Sequence, residues 1–239
     1  IFYKKILNAI SGLVVISGGL KSAFLGAGIS VDKILVAPDG FDSSEFDIQE
    51  TKEEARRKLN IPLDKKIFIY TGHLFEWKGV DVLVKAAQQL PADIQVIIVG
   101  GTMEDIEKLK KTDSAKKIRF EGFQDHKKIP IYLRASDIAV LPNKKDGGIS
   151  ELYTSPLKMF EYMSAGKPII ASGLPSIKEV LNDFNAILIE PNNIDSLENA
   201  IKNAAGNPTL LEKISLKAKN DSVEFSWDVR ASRILNFIK

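Results

Sequence analysis

The chain of 239 residues has no cysteine, which excludes disulfides and thiolate chemistry and fits a reducing compartment. Histidine is nearly missing as well. His73 and His126 stand alone without clustered ligands, so no dedicated metal site is expected. No apolar run reaches the length of a membrane-spanning helix. Nor does one sign of charge dominate: 33 basic and 31 acidic side chains leave +2, and no global field recruits nucleic acid. A local basic run between Lys108 and Lys128 lacks the interleaved aromatics of a base-stacking platform and reads as a solvated face. An initiator Met is missing too. The stretch Ile1–Leu20 only faintly matches a signal peptide, because Asn8, Ser11 and Gly12 interrupt it and no small-residue cleavage site follows. The expectation is a piece of a longer protein whose upstream part is absent.

What is present is ordinary in bulk, 44% hydrophobic and 27% charged, and long enough for one large domain or a domain and a half. From residue 33 onward, short β-rich apolar runs alternate with helical segments, the pattern of a parallel α/β sheet. Strands are expected at 34–37, 67–71, 95–99, 117–120, 137–141, 168–171 and 186–189. Runs such as Ile67-Phe-Ile-Tyr70 and Val96-Ile-Ile-Val99 are continuously apolar, as for strands covered on both faces. Helices fall between them at 52–59, 80–89, 103–110, 127–134, 156–165, 177–181 and 194–203, and two more, about 207–220 and 227–238, close the chain. Ser176 with Glu179 makes a capping box for the helix at 177. Residues 1–30 read as a helix, a strand at 13–16 and a helix near 20–25, the last unit of a preceding domain, with Pro38-Asp-Gly-Phe-Asp42 as a turn at the junction. Ligands of doubly wound sheets bind at the carboxyl ends of the strands, so the loops 72–79, 100–102, 121–126, 142–155 and 172–176 carry the interest.

The stretch Ser155-Pro-Leu-Lys-Met-Phe-Glu-Tyr-Met-Ser-Ala-Gly-Lys-Pro168 is the most informative. Ser155 is a good N-cap, Pro156 fits the first helical position, and Gly166 with Pro168 gives the stop. Apolar residues on nearly every side predict a buried helix. Two charges break the pattern. Lys158 sits in the first turn, where the macrodipole disfavours a cation, and Glu161 lies mid-helix among apolar neighbours. A phosphate suits the lysine and the free N–H groups, and sugar hydroxyls suit the carboxylate. The competing reading is an i,i+3 pair on a helix surface, worth tenths of a kcal/mol.

The segment Gly72-His-Leu-Phe-Glu-Trp-Lys-Gly79 opens the helix from Val80 and puts Lys78 at a second anion site on the same sheet edge. Two cations could therefore converge on one diphosphate. His73 could donate to that diphosphate or to a sugar, or be a satisfied structural residue; His126 is read as structural. Neither Gly26-Ala-Gly28 nor Gly100-Gly-Thr102 completes a dinucleotide fingerprint, and no phosphate-binding P-loop occurs.

Together these residues resemble family 4 (group 1) glycosyltransferases of the GT-B fold. The likeness rests on 72–79, on Ser155 through Ala171 and on Pro38–Asp42, with Asp137-Ile-Ala-Val-Leu-Pro142 and Phe225-Ser-Trp-Asp228 beside them, and runs from about residue 10 to the end. The fold it implies is a Rossmann-like doubly wound parallel sheet, the C-terminal half of a GT-B fold with a remnant of the N-terminal domain. Its parts would be 1–32, the end of the acceptor domain; 33–222, the donor-binding domain; and 223–239, a helix returning toward the N-terminal domain.

The resemblance implies retaining transfer of a sugar from a nucleotide-diphosphate donor, UDP- or GDP-linked, to a glycan, lipid-linked or small-molecule acceptor, without cofactor or metal. Lys78, Glu161 and His73 would be catalytic. Lys78, Lys158, Thr154, Ser155, Leu157 and Gly72 would hold the diphosphate, Glu161 the ribose, and Phe123 with Gln124 the base. Two departures stand out. Tyr153 occupies the register of the family's first glutamate, eight residues before Glu161, and so falls to the donor sugar; His73 replaces the usual diphosphate arginine, a charge that Lys158 restores. The expected setting is a polysaccharide or surface-glycan assembly enzyme in the cytoplasm, touching the inner membrane face peripherally through the absent domain. The fragment alone should bind nucleotide and transfer poorly. Rival expectations are an inactive nucleotide-sugar-binding module and a GT-B epimerase.

Overall fold

The computed structural model describes residues 9–239, so the helix expected at the very start of the chain lies largely outside the described residues. A six-stranded, wholly parallel sheet forms the centre, in the order β5-β4-β3-β6-β7-β8. Its strands are β3 (Lys66–Thr71), β4 (Ile94–Val99), β5 (Ile118–Gly122), β6 (Ile138–Leu141), β7 (Ile169–Ser172) and β8 (Ile187–Ile189). The doubly wound parallel sheet read from the sequence is present. Winding starts in the middle, at β3, runs outward to β5, then returns to the other side of β3 for β6 through β8.

The period of two along each strand sorts the core into two layers. Ile67, Ile69, Ile97, Val99, Ala139, Leu141, Ile169 and Ala171 face one layer. It is closed by α2 (Lys52–Lys58), α5 (Ile129–Ala135), α7 (Leu157–Ser164), α8 (Pro175–Lys178) and α10 (Pro208–Ser222). Phe68, Tyr70, Val96, Ile98, Ile138, Val140 and Ile170 face the other, against α3 (Val80–Ala87) and α9 (Ile194–Ala205). Apolar residues at every position are what burial on both faces demands. On the β4–β5 side, α4 (Met103–Lys110) carries a Thr102–Asp105 capping box, and a short helix α6 (Ile149–Leu152), not foreseen in the sequence, interrupts the long loop after β6.

Four local expectations are corrected. The strand at 34–37 is β2 (Ile34–Val36), but it pairs in parallel with β1 (Leu13–Val15) in a separate two-stranded sheet rather than opening the main one. A division at 32/33 thus falls between paired strands. The segment 38–42 is not a turn. Phe41 forms an isolated parallel bridge with Ser226, just before the last helix, α11 (Trp227–Phe237). The Ser176–Glu179 capping box does not form: the Ser176 hydroxyl donates to Ser150 O, and the Glu179 carboxylate accepts from Gly18 N at 2.8 Å, at the start of α1 (Gly18–Gly26). With those side chains committed to distant partners, the helix starts earlier, at Pro175. Finally, Ser155 does not cap α7.

Candidate functional site

The site lies where the winding reverses. β3 and β6 are neighbours, yet the helices that follow them, α3 and α7, cover opposite faces, so the loops 72–79 and 142–156 diverge above the strand ends and leave a crevice. Glycines let its walls approach. Gly79 has φ +70°, and a Cβ there would stand 2.0 Å from Pro142 O; one on Gly100 would stand 2.1 Å from Gly72 O. Lys144 N donates to Trp77 O at 2.9 Å, tying the two loops at their base.

α7 forms the floor. Its buried side chains hold it against the sheet, and the Tyr162 hydroxyl accepts from Thr71 N at 2.8 Å, pinning the helix to the end of β3. Gly166, at φ +61°, provides the expected left-handed stop. The amino end differs from expectation: Pro156 stands at the N-cap position, and no side chain caps the helix. The Ser155 hydroxyl instead accepts from Asp39 N at 2.9 Å, a partner from the other end of the sequence.

Two adjoining chambers result. The first, about 230 Å3, is lined by Lys78, Lys158, the stretch Thr154–Leu157 and Asp39. The second, about 200 Å3, is lined by Gly100, Gly101, Phe123, Gln124 and His126. Gly72, His73 and Lys158 border both. Phe123 is 79% exposed, an aromatic ring left free at the rim. Tyr70 donates its hydroxyl to His73 O at 2.6 Å, fixing the loop backbone between the chambers.

Charge is distributed unevenly here. Lys78 is partly buried and makes no ion pair among the described residues; burial first, and then the charge of Lys158, lowers its pKa to about 8. Its ammonium rests 4.0 Å from the centre of the Trp77 ring, and an aromatic ladder runs on from Trp77 through Phe75 to His73. At the far end of the chain, the Arg230 guanidinium stands 5.8 Å from the Trp227 ring. Lys158 does have a partner: its Nζ is 2.8 Å from each carboxylate oxygen of Glu161. The i,i+3 pair weighed in the sequence is therefore formed, but Glu161 is only 6% exposed, so it is a covered pair and not a surface one.

Most of the residues singled out in the sequence meet in this crevice. Lys78, Lys158, Gly72, His73, Thr154, Ser155 and Leu157 border the first chamber, and Phe123 and Gln124 the second. Glu161 borders neither; Lys158 and His126 cover it. Tyr153 also lies outside both linings and is 38% exposed. Sequence reasoning missed two residues. His126, set aside as structural, lines the second chamber with Nε2 3.4 Å from Glu161 Oε1 and Nδ1 3.5 Å from Glu45 Oε2. Asp39, named only as part of a turn, faces the first chamber. Neither had a local signal, because both reach the site through long-range packing. Among the described residues no group of three or more His, Asp or Glu is placed to hold a metal.

Comparison with known proteins gives a consistent picture. The family described as "Glycosyl transferases group 1" matches residues 51–221. An uncharacterized glycosyltransferase of Methanocaldococcus jannaschii is 28% identical over 236 residues, covering 94% of this chain and 57% of its own length. The UDP-Gal:alpha-D-GlcNAc-diphosphoundecaprenol alpha-1,3-galactosyltransferase of Escherichia coli is 32% identical over 179 residues, 71% of this chain and 44% of that protein. A solved glycosyltransferase from Rickettsia africae has a TM-score of 0.84 at 23% identity, covering 100% of this chain and 66% of that one. Anabaena HepE in complex with UDP and glucose has a TM-score of 0.81 at 21% identity, with coverages of 95% and 62%. At such identities the structural likeness establishes the fold. The chain spans about half the length of the curated relatives it matches.

Proposed function

This chain belongs to the group 1 glycosyltransferases, and from that premise we propose that its crevice binds a nucleotide-diphosphate sugar, UDP- or GDP-linked, for retaining transfer to a glycan, lipid-linked or small-molecule acceptor. One observation carries the proposal: Lys78 is a partly buried cation without an anionic partner among the described residues, held beside a second cation and the uncapped start of α7. That arrangement costs stability in the empty protein and is offset by a diphosphate.

In this scheme the diphosphate lies at the wall shared by the chambers. Lys78, Lys158 and the amide N–H groups at the start of α7 stabilise the charge that develops on the leaving diphosphate. The nucleoside points into the second chamber, where Phe123 and Gln124 meet the base. The ribose hydroxyls take Glu161. Lys158 holds both oxygens of that carboxylate, so donor binding exchanges partners: the ammonium turns to phosphate and frees oxygens for the ribose. The acceptor and its contacts belong to a further domain of the kind the resemblance implies. UDP- and UDP-glucose-bound HepE supports the choice of donor class.

The test is a panel of UDP, GDP, ADP and TDP scored by thermal unfolding of the wild type, Glu161→Ala and Lys78→Ala. At about one hundred times Kd a nucleotide adds about 2.7 kcal/mol of stability. The proposal fails if no nucleotide stabilises the wild type, or if both variants respond as it does. Nucleotide binding without sugar release, once a full-length enzyme is assayed, would leave a binding module instead.

A further inference from the structure

We propose that Asp39 reads the donor sugar: its carboxylate accepts hydrogen bonds from sugar hydroxyls in the first chamber and so sets which nucleotide sugar is taken. This rests on the donor-site reading above and extends it to a residue of the Pro38–Asp42 segment, to which that reading gives no contact with the ligand.

Among the described residues lining the two chambers, Asp39 is the only carboxylate. It borders the first chamber and not the second. With the diphosphate at the shared wall and the nucleoside in the second chamber, the remainder of the first chamber is left to the sugar. A carboxylate repels phosphate, and in a cavity otherwise built from cations and helix N–H groups it lowers affinity for a bare diphosphate. Its presence is understandable if the ligand brings hydroxyl donors, for which an ionised acceptor is the stronger partner. Tyr153, which the register of the sequence assigns to the sugar, does not border the chamber and leaves that role open.

A specificity group must also be held rigidly in place. The Asp39 N–H is bound by the Ser155 hydroxyl at 2.9 Å, which fixes the segment against the start of α7. Arg230 of α11 donates from Nε to Pro38 O at 2.9 Å and to Ala37 O at 3.2 Å. Gly40 is packed so closely that a Cβ would lie 2.8 Å from Phe225 O. Asp39 is thus clamped on both sides. Partial burial pushes its carboxyl pKa up, opposed by the charge of Arg230, as for a group awaiting polar partners.

The experiment compares affinities of the whole chain for free nucleotides and for their sugars: UDP against UDP-glucose, UDP-galactose and UDP-N-acetylglucosamine, and GDP against GDP-mannose. Asp39→Asn keeps the shape and the backbone bond to Ser155, and Asp39→Ala is run beside it. The wild type should bind one sugar donor more tightly than its parent nucleotide. The variants should bind UDP or GDP as tightly as the wild type or more so, and lose about tenfold of the advantage conferred by the sugar. Retained nucleotide binding also shows that each variant folds. If the ratio of sugar to nucleotide affinity is unchanged, or if both affinities fall together, Asp39 does not read the sugar and the donor site stands. If the wild type binds neither UDP nor GDP, the donor site itself falls.

Discussion

Lys158 Nζ lies 2.8 Å from both carboxylate oxygens of Glu161, so a single ammonium covers the whole of a carboxylate that is 6% exposed. His126 stands on its other side, with Nε2 3.4 Å from Glu161 Oε1. Under the proposed function this pair must open before Glu161 can meet a ribose.

Lys158→Met should therefore lose about 1–3 kcal/mol in urea unfolding at pH 7, the cost of leaving a covered carboxylate half-satisfied. Adding Glu161→Gln should recover most of it, since the stranded charge is then gone. Equal losses in the single and double variants would show that the pair is not the source.

Lys78 carries a pH dependence. Its ammonium loses its proton at about 8 in the folded chain, against 10.5 ordinarily. Between those values the unfolded chain binds the extra proton, so stability should rise with pH from about 8 to about 10.5, with the full cost present below 8. Lys78→Met should raise the stability of the empty protein at pH 7 by about 1–3 kcal/mol, a gain that fades by pH 10.5, while removing the nucleotide-induced shift in Tm. A diphosphate needs the charged form, so UDP affinity should fall above pH 8. Lys78→Arg, which keeps its proton, should flatten that profile. A flat wild-type profile would contradict this role.

His126→Ala separates support from stability. The ring is about half exposed and bridges Glu45 and Glu161 at 3.5 and 3.4 Å, so its loss should move unfolding by no more than about 0.5 kcal/mol. UDP affinity should drop about three- to tenfold as Glu161 loses one of its two neighbours and the second chamber loses a wall. Calorimetric titration decides it: unchanged affinity would return His126 to a bystander.

Gly79→Ala should be severe. The residue is left-handed at φ +70°, and the new methyl would meet Pro142 O at 2.0 Å, forcing apart the two loops that form the crevice. A loss of about 2–4 kcal/mol and of nucleotide binding is expected. Gly26→Ala, which meets nothing within 4 Å at the end of α1, should be neutral or slightly stabilising.

The sheet was legible because the central strands hold continuous apolar runs, Ile67–Tyr70, Val96–Val99 and Ile138–Leu141, a pattern that double-sided burial explains. Lys78 and Lys158 were legible because a cation at a helix start is locally unfavourable and so calls for a ligand. What escaped depended on distance along the chain. The Ser155 hydroxyl had an obvious local use as a helix cap, but Asp39 N claims it from 116 residues away. Ser176 and Glu179 lose their local pairing in the same way, to Ser150 and Gly18. β2 has the composition of a central strand and yet joins β1, since pairing partners are chosen by topology.

Both tryptophans of the chain stand against cations at the crevice and its support: Trp77 under Lys78, and Trp227 beside the Arg230 that clamps Asp39. The molecule thus carries two built-in fluorophores, one at the proposed phosphate end and one behind the proposed sugar end. With Trp227→Phe the remaining emission reports phosphate engagement alone, and with Trp77→Phe it reports strain in the clamp, so the two ends of one ligand can be followed separately without a label.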